Sequence, residues 1–399
     1  MRLRPGSVAL TVLLASATAL GSLSNDMYVP SLPAIARDLH AGAEQTQFTL
    51  SAFLVGFAIG QIVYGPLSDK LGRKPVLLAG FALFLLATLG CMLAGSIEAL
   101  VAARIAQSLG ASGPIIIARA IVRDLYEGPR AGRELSVMAS IMGISPILAP
   151  VAGGLLQVSF GWRSSFAVVA ALGLLIAAAC ASLLPETVRA RQAGPISFSS
   201  IGESFALIWR HAPFRAYAAI LAVCYAGLFA FISASSFLFQ DVYGLGPITF
   251  SLAFALCSMS FVSGTMLATR LAPRRGLDGT IGLGVACLAA GGLAQALAWF
   301  ADPTSAAALV VPEMVYMAGV GLSFPHLLAA AMTPFPERAG AASSLLGVIQ
   351  MAFAALVGTV LGAFLGASAA PFVIATAGSG LAAFLLYWST RNARRLQRR

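Results

Sequence analysis

The chain has 399 residues, 59% of them hydrophobic and only 10% charged, with a formal net charge of +10. A soluble domain carries about 25% charged residues, so this composition excludes an ordinary water-soluble fold and points to a chain dissolved in lipid. The basic excess does not argue for nucleic acid, because nearly all of it lies in short loops between apolar runs and at the two termini.

Apolar runs of roughly twenty residues, enough to cross a bilayer core, recur at about 8–34, 46–68, 75–95, 98–122, 134–158, 163–184, 215–239, 248–270, 278–300, 305–331, 339–365 and 370–390. The expected fold class is an all-α membrane protein with twelve transmembrane helices. The five cysteines, Cys91, Cys180, Cys224, Cys257 and Cys287, each fall inside such a run without C-x-x-C spacing. They read as small buried hydrophobes, neither disulfides nor metal ligands.

The first run follows Arg2 and Arg4, and Ala15-Ser16-Ala17 imitates a secretory cleavage site. Its apolar stretch continues to Leu32, too long for a signal sequence, so it reads as an uncleaved first span. Toward its far end stands Asp26, within Asn25-Asp26-Met27-Tyr28-Val29-Pro30. A charge at a helix centre costs about 2.5–3.5 kcal/mol on insertion scales, and an ionisable residue there marks an ion or substrate path. A carboxyl in a low-dielectric cavity is suited to take up and release a proton near neutral pH. Asp26 is therefore the first candidate for proton coupling.

Between the second and third runs comes Gly65-Pro66-Leu67-Ser68-Asp69-Lys70-Leu71-Gly72-Arg73-Lys74-Pro75. It reads as a charged turn at a membrane surface, reversed at Gly72, which tolerates positive φ. Gly65, Asp69, Gly72, Arg73 and Lys74 are its candidate gating residues. The fourth run carries Arg104 and ends in Arg119-Ala120-Ile121-Val122-Arg123-Asp124. Arg104 cannot deprotonate, so it is a fixed cation able to control a nearby carboxylate; an ion pair that only locks span one to span four is the structural alternative. In the fifth run, Ser145-Pro146-Ile147-Leu148-Ala149-Pro150-Val151-Ala152-Gly153-Gly154 joins two helix-bending prolines to small residues that permit close helix approach.

The longest loop, 186–214, divides the chain into six-helix halves at 1–185 and 215–399, the second with a basic tail. Within this linker, Ser200-Ile201-Gly202-Glu203 reads as a capping box. It opens a short helix with Phe205, Ile208 and Trp209 on one face, lying on the inner membrane surface. The second half faintly echoes the 65–75 turn in Gly264-Thr265-Met266-Leu267 through Arg270, Arg274 and Arg275, with no aspartate at the matching place. Glu313, about eight residues inside the tenth run, is the third proton-coupling candidate beside Asp26 and Arg104. Tyr28, Tyr225, Phe229, Tyr316 and Gln350 are candidates for a mainly apolar substrate wall with a few polar groups.

One alternating set of loops holds the clusters Lys70, Arg73 and Lys74; Arg123, Arg130 and Arg133; Arg189, Arg191, Arg210 and Arg215; and Arg270, Arg274 and Arg275. The other set holds Arg37 and Arg163 with Asp38, Glu44, Glu98, Asp241 and Asp302. The positive-inside rule then places both termini in the cytoplasm, as an even number of spans also requires.

The 65–75 segment, with its order G-x-L-x-D-x-x-G-R-K, resembles the signature loop between spans two and three of the major facilitator superfamily of transporters. Leu100–Gly113, with Arg104, Gln107, Gly110 and Gly113, is similar to that superfamily's span-four arginine motif. Residues 145–154 resemble the span-five motif of its exporters, with Ser145 and Ala149 in place of two glycines. Asn25–Pro33, Arg119–Asp124 and Phe335-Pro336-Glu337-Arg338-Ala339-Gly340 look like the Bcr/CflA drug-resistance branch.

The resemblance implies the major facilitator fold of two pseudo-symmetric halves, with substrate handled near the membrane midplane. It implies a drug:proton antiporter of the bacterial cytoplasmic membrane, working as a monomer by alternating access on small amphipathic antibiotics such as chloramphenicol-like or bicyclomycin-like compounds. In that reading Asp26 is protonated in turn, Arg104 controls it, and Asp69 latches a gate with a basic residue after span four, for which Arg123 is the candidate. Pro146, Pro150, Gly153 and Gly154 seal the cavity by packing span five on span eight. No cofactor beyond the coupling proton, no metal and no nucleic acid is implied.

Alternatives are proton-coupled uptake of a nutrient or of copper, for which Met138 and Met142 offer thioethers, or a non-transporting membrane sensor on the same fold. No Walker A loop and no Ser/His/Asp or Cys/His constellation is recognisable, and His40, His211 and His326 are scattered, so an enzyme is not expected.

Overall fold

The computed structural model describes residues 7–126, 128–188, 198–364 and 368–395. Among these residues there is no strand. That follows from the solvent: the bilayer core offers no hydrogen-bond partner, so each spanning segment must satisfy its backbone internally.

The helices are α1 (Val8–Asp26), α2 (Leu32–Asp38), α3 (Ala43–Leu71), α4 (Arg73–Leu93), α5 (Ile97–Leu125), α6 (Gly128–Phe160), α7 (Arg163–Leu183), α8 (Phe198–Arg210), α9 (Ala212–Phe237), α10 (Pro247–Ala301), α11 (Ala307–Met332), α12 (Ala339–Phe364), α13 (Ala370–Ser389) and α14 (Arg391–Arg395). Among the described residues eleven helical segments are long and apolar enough to cross a membrane. One of them, α10, has 55 residues. At 1.5 Å per residue it would reach about 80 Å, against a core of about 30 Å. Gly276, at φ 71° and ψ 171°, breaks it into two crossings. The twelve expected spans are present.

The chain divides into two compact units, Met1–Ile196 and Ser197–Arg399. The first unit builds its core from Leu14, Leu77, Phe81, Phe84, Ile117, Ile121 and Val169, contributed by α1, α4, α5 and α7. Met138 of α6 is buried in the same core, the ordinary place for a flexible thioether. In the second unit both arms of α10 pack on α11, and α9 packs on α12 and α13.

Three local readings need correction. The first span is not one helix: α1 ends at Asp26, a 3-10 turn covers Val29–Ser31, and α2 resumes at Leu32. Pro30 and Pro33 lie at these new starts, where a missing N–H does least harm. The 65–75 segment is not a turn either. α3 runs through Gly65 and Pro66 to Leu71, and Gly72 alone reverses the chain at φ 107°. A side chain at Gly65 would meet nothing within 4 Å, so packing gives no reason for glycine there.

The third correction concerns α8. It begins at Phe198, before the proposed cap at Ser200. Of its expected apolar face, Ile208 is buried while Trp209 is 48% exposed. α8 packs on α9 and α12.

Candidate functional site

Asp26 closes α1 where the first crossing breaks, and it is buried. Pro30 has no N–H to give the Asp26 carbonyl, and α6 packs closely against the backbone there. A Cβ on Gly153 of α6 would sit 2.2 Å from the Met27 carbonyl oxygen and 2.9 Å from the Met27 Cα. Glycine at 153 thus lets α6 touch backbone one residue after Asp26. α6 continues unbroken through Pro146 and Pro150, and Gly154 beside the contact is buried. The described contact of Gly153 lies inside its own unit, on the first span.

Gly153→Ala must move that backbone. Overpacking of this kind costs typically about 1–3 kcal/mol, and we expect a lower melting temperature in detergent together with a loss of transport. Unchanged melting and unchanged transport would show that the contact is dispensable.

Arg104 of α5 is fully buried. Its guanidinium lies between two rings, 4.5 Å from the Tyr28 centroid and 4.2 Å from the Phe53 centroid. One terminal nitrogen donates to Gln107 Oε1 at 2.7 Å, and the other to Asn25 Oδ1 at 3.0 Å. Gln107 passes the order on by donating to Thr88 Oγ1 at 2.9 Å. The Tyr28 hydroxyl pairs with Thr49 Oγ1 at 2.6 Å. Helices α1, α3, α4 and α5 are thereby tied to one cation.

Among the described residues no ion pair joins Arg104 to Asp26. Arg104 instead reaches Asn25, the residue next to Asp26 in the chain. Arg104 and Gln107 are three apart on α5, the spacing that puts side chains on one helix face. The buried polar atoms on these helices are unusually unsatisfied: Ser24 Oγ, Ser31 Oγ, Ser51 Oγ, both polar atoms of the Gln47 amide, and Arg104 Nε have no protein partner. Native cores leave few such atoms.

At the Gly72 end of the same unit a second cluster forms. Arg73 pairs with Asp69 and with Asp124, the latter at 2.9 Å, and also donates to Ser68. Glu186 accepts from the backbone N–H groups of Arg73 and Lys74, at 2.9 and 3.2 Å. Lys74 Nζ reaches the Ala181 carbonyl at 2.6 Å, and Thr187 donates to Asp124. A carboxylate at the first N–H groups of α4 is favoured by the helix dipole. The cluster fastens the start of α4 to the ends of α5 and α7. The expected partner of Asp69 is corrected here: it is Arg73, whereas Arg123 is exposed and its neighbour Asp124 faces the cluster.

The second unit carries a counterpart with the charges exchanged. Asp278, just past Gly276, accepts from Arg394 Nε at 2.8 Å, and Arg394 lies 4.0 Å over the Tyr387 ring. Here the acid stands at the helix start and the base comes from the tail, whereas in the first unit Arg73 stands at the helix start and pairs with Asp69 and Asp124. Sequence reading missed this pair by seeking the acid before the turn.

Of the other proposed residues, Tyr28 is a wall of the Arg104 site. Tyr225 is half-buried with its ring 5.8 Å from Phe324; Phe229 and Gln350 are buried. Tyr316 is fully buried inside the second unit, its hydroxyl 2.8 Å from Ser379 Oγ. Glu313 is buried one turn before it on α11.

The sequence model described as Major Facilitator Superfamily matches residues 14–359. The chain is 32% identical to multidrug resistance protein D of Escherichia coli strain K12, over 87% of this chain and 86% of that protein. It is 28% identical to a bicyclomycin resistance protein homolog of Haemophilus influenzae, over 91% of each chain. Among solved structures it is similar to a D-xylose-proton symporter, with a TM-score of 0.75 at 15% identity, over 96% of this chain and 97% of that one.

Proposed function

This chain belongs to the Major Facilitator Superfamily, and we propose that within it the chain is a drug:proton antiporter exporting small amphipathic antibiotics. The observation that carries the reading is Asp26: a membrane-buried carboxyl at a break in the first span, one side chain away from a fixed cation. A scaffold gains nothing from burying such groups, because an unpaired charge in hydrocarbon costs several kcal/mol. An exchanger does gain, since one site that prefers either a proton or a drug couples the two flows.

In the proposed cycle Asp26 takes a proton from the extracytoplasmic side and releases it to the cytoplasm when drug binds. Arg104 remains charged throughout and acts on Asp26 through Asn25. The Asp69–Arg73–Asp124–Glu186 cluster lies at the cytoplasmic end, given the basic loops there, and opens and reforms once per cycle. Tyr225, Phe229 and Gln350 remain the proposed drug contacts, and both termini lie in the cytoplasm of a bacterial inner membrane. The names of the relatives, multidrug and bicyclomycin resistance, support the substrate class.

The test is expression in a drug-sensitive bacterium challenged with bicyclomycin-like, chloramphenicol-like and sulfonamide-like compounds. We expect raised tolerance to at least one, erased by a protonophore. No shift for any compound, together with a copper-dependent growth phenotype, would overturn export in favour of metal uptake.

A further inference from the structure

We propose that Glu313 is a second proton-binding site, confined to the second unit, whose proton drug does not displace. The inference rests on the antiport reading for its role in the cycle but not for the existence of the site. Glu313 is 1% exposed. One carboxyl oxygen, Oε2, accepts from Gln295 Nε2 at 2.9 Å, and the other, Oε1, has no partner. Among the described residues no ion pair includes it.

The amide that meets Glu313 is fixed in its orientation. Gln295 Oε1 accepts from the Thr376 hydroxyl, and Gln295 Nε2 also donates to the Leu309 carbonyl at 3.3 Å. Gln295 therefore offers its nitrogen to Glu313 and has no second donor to give the other oxygen. Residues 295, 313 and 376 belong to the second arm of α10, to α11 and to α13, so the carboxyl stands where three spans meet. The ionisable groups facing it are Cys257 from the first arm of α10 and Tyr316 from α11 itself; Cys224 of α9 faces Tyr316 behind it. None is a cation. A carboxylate with one hydrogen bond and no counter-charge is poorly solvated here, whereas a carboxylic acid is accommodated.

This site differs in kind from Asp26. Asp26 has a guanidinium one side chain away and lies among unsatisfied polar atoms. Glu313 has neither, and its neighbours are satisfied by one another. Its proton accordingly belongs to helix packing in the second unit: gaining or losing it changes whether α10, α11 and α13 fit together, and so sets when that unit can move.

Infrared difference spectroscopy on the full-length protein in nanodiscs, titrated across neutral pH without drug, reads the site directly. In Asp26→Asn we expect a neutral-carboxyl band that vanishes on adding Glu313→Gln. Gln295→Leu should shift that band without removing it, a response a merely structural glutamate would not give. Chloramphenicol added to Asp26→Asn should leave the band in place. A second arm follows chloramphenicol exchange in proteoliposomes: its remaining pH dependence in Asp26→Asn should disappear in the double variant. Absence of the band, or its loss on drug addition, overturns the proposal. Absence of all drug transport with the band intact instead overturns only the export reading.

Discussion

Asp26→Asn is expected to abolish uphill drug accumulation while leaving drug exchange. In inverted membrane vesicles acidified inside, the variant should accumulate chloramphenicol no better than vesicles lacking the protein. Equilibrium exchange of labelled for unlabelled drug should persist. Asparagine keeps the size and polarity of the side chain, but it cannot bind and release a proton. A difference between the two assays therefore isolates coupling from folding and from binding. Asp26→Glu should recover part of the accumulation, because the titrating group returns while its position shifts by one methylene. Uphill accumulation unchanged in Asp26→Asn would remove Asp26 from the coupling path.

Much of the fold was legible because run length decides it: a segment either covers the bilayer core or does not. The break at Asp26 was less so, although Pro30 within the run signalled it. The close approach of Gly153, more than a hundred residues away, to the Met27 backbone was not legible at all. Asp26 and Arg104 were legible one by one because lipid excludes charge. That Arg104 reaches the residue beside Asp26 was not: its partner Asn25 is 79 residues away. The same holds for the Arg73 cluster, where Asp124 and Glu186 are 51 and 113 residues distant. Pattern within a helix is local, whereas hydrogen-bond partners between helices are set by tertiary packing. The pair Asp278–Arg394 shows the limit most clearly, since its partners stand 116 residues apart.

Arg104→Lys is expected to fail despite keeping the charge. The guanidinium makes two divergent hydrogen bonds, to Gln107 and Asn25, while its faces meet Tyr28 and Phe53. A lysine ammonium is a compact, strongly hydrated charge that cannot match that fork or stack flat between rings. It would satisfy one partner and abandon the other. Losing a hydrogen bond to a charged group costs roughly 1.5–3 kcal/mol, which corresponds to about ten- to a hundredfold in a rate or equilibrium. We expect uphill accumulation to fall by at least that lower factor. If the abandoned partner is Asn25, the pH profile of export should move as well, because Asn25 is the proposed relay between Arg104 and Asp26. Asn25→Ala should then reproduce the moved profile with Arg104 intact. Buried lysine, unlike arginine, can lose its proton, so the variant should also work worst on the alkaline side, where the fixed cation is no longer fixed. A lysine variant with wild-type accumulation and profile would show that charge alone suffices at this position and that the Asn25 relay does not operate.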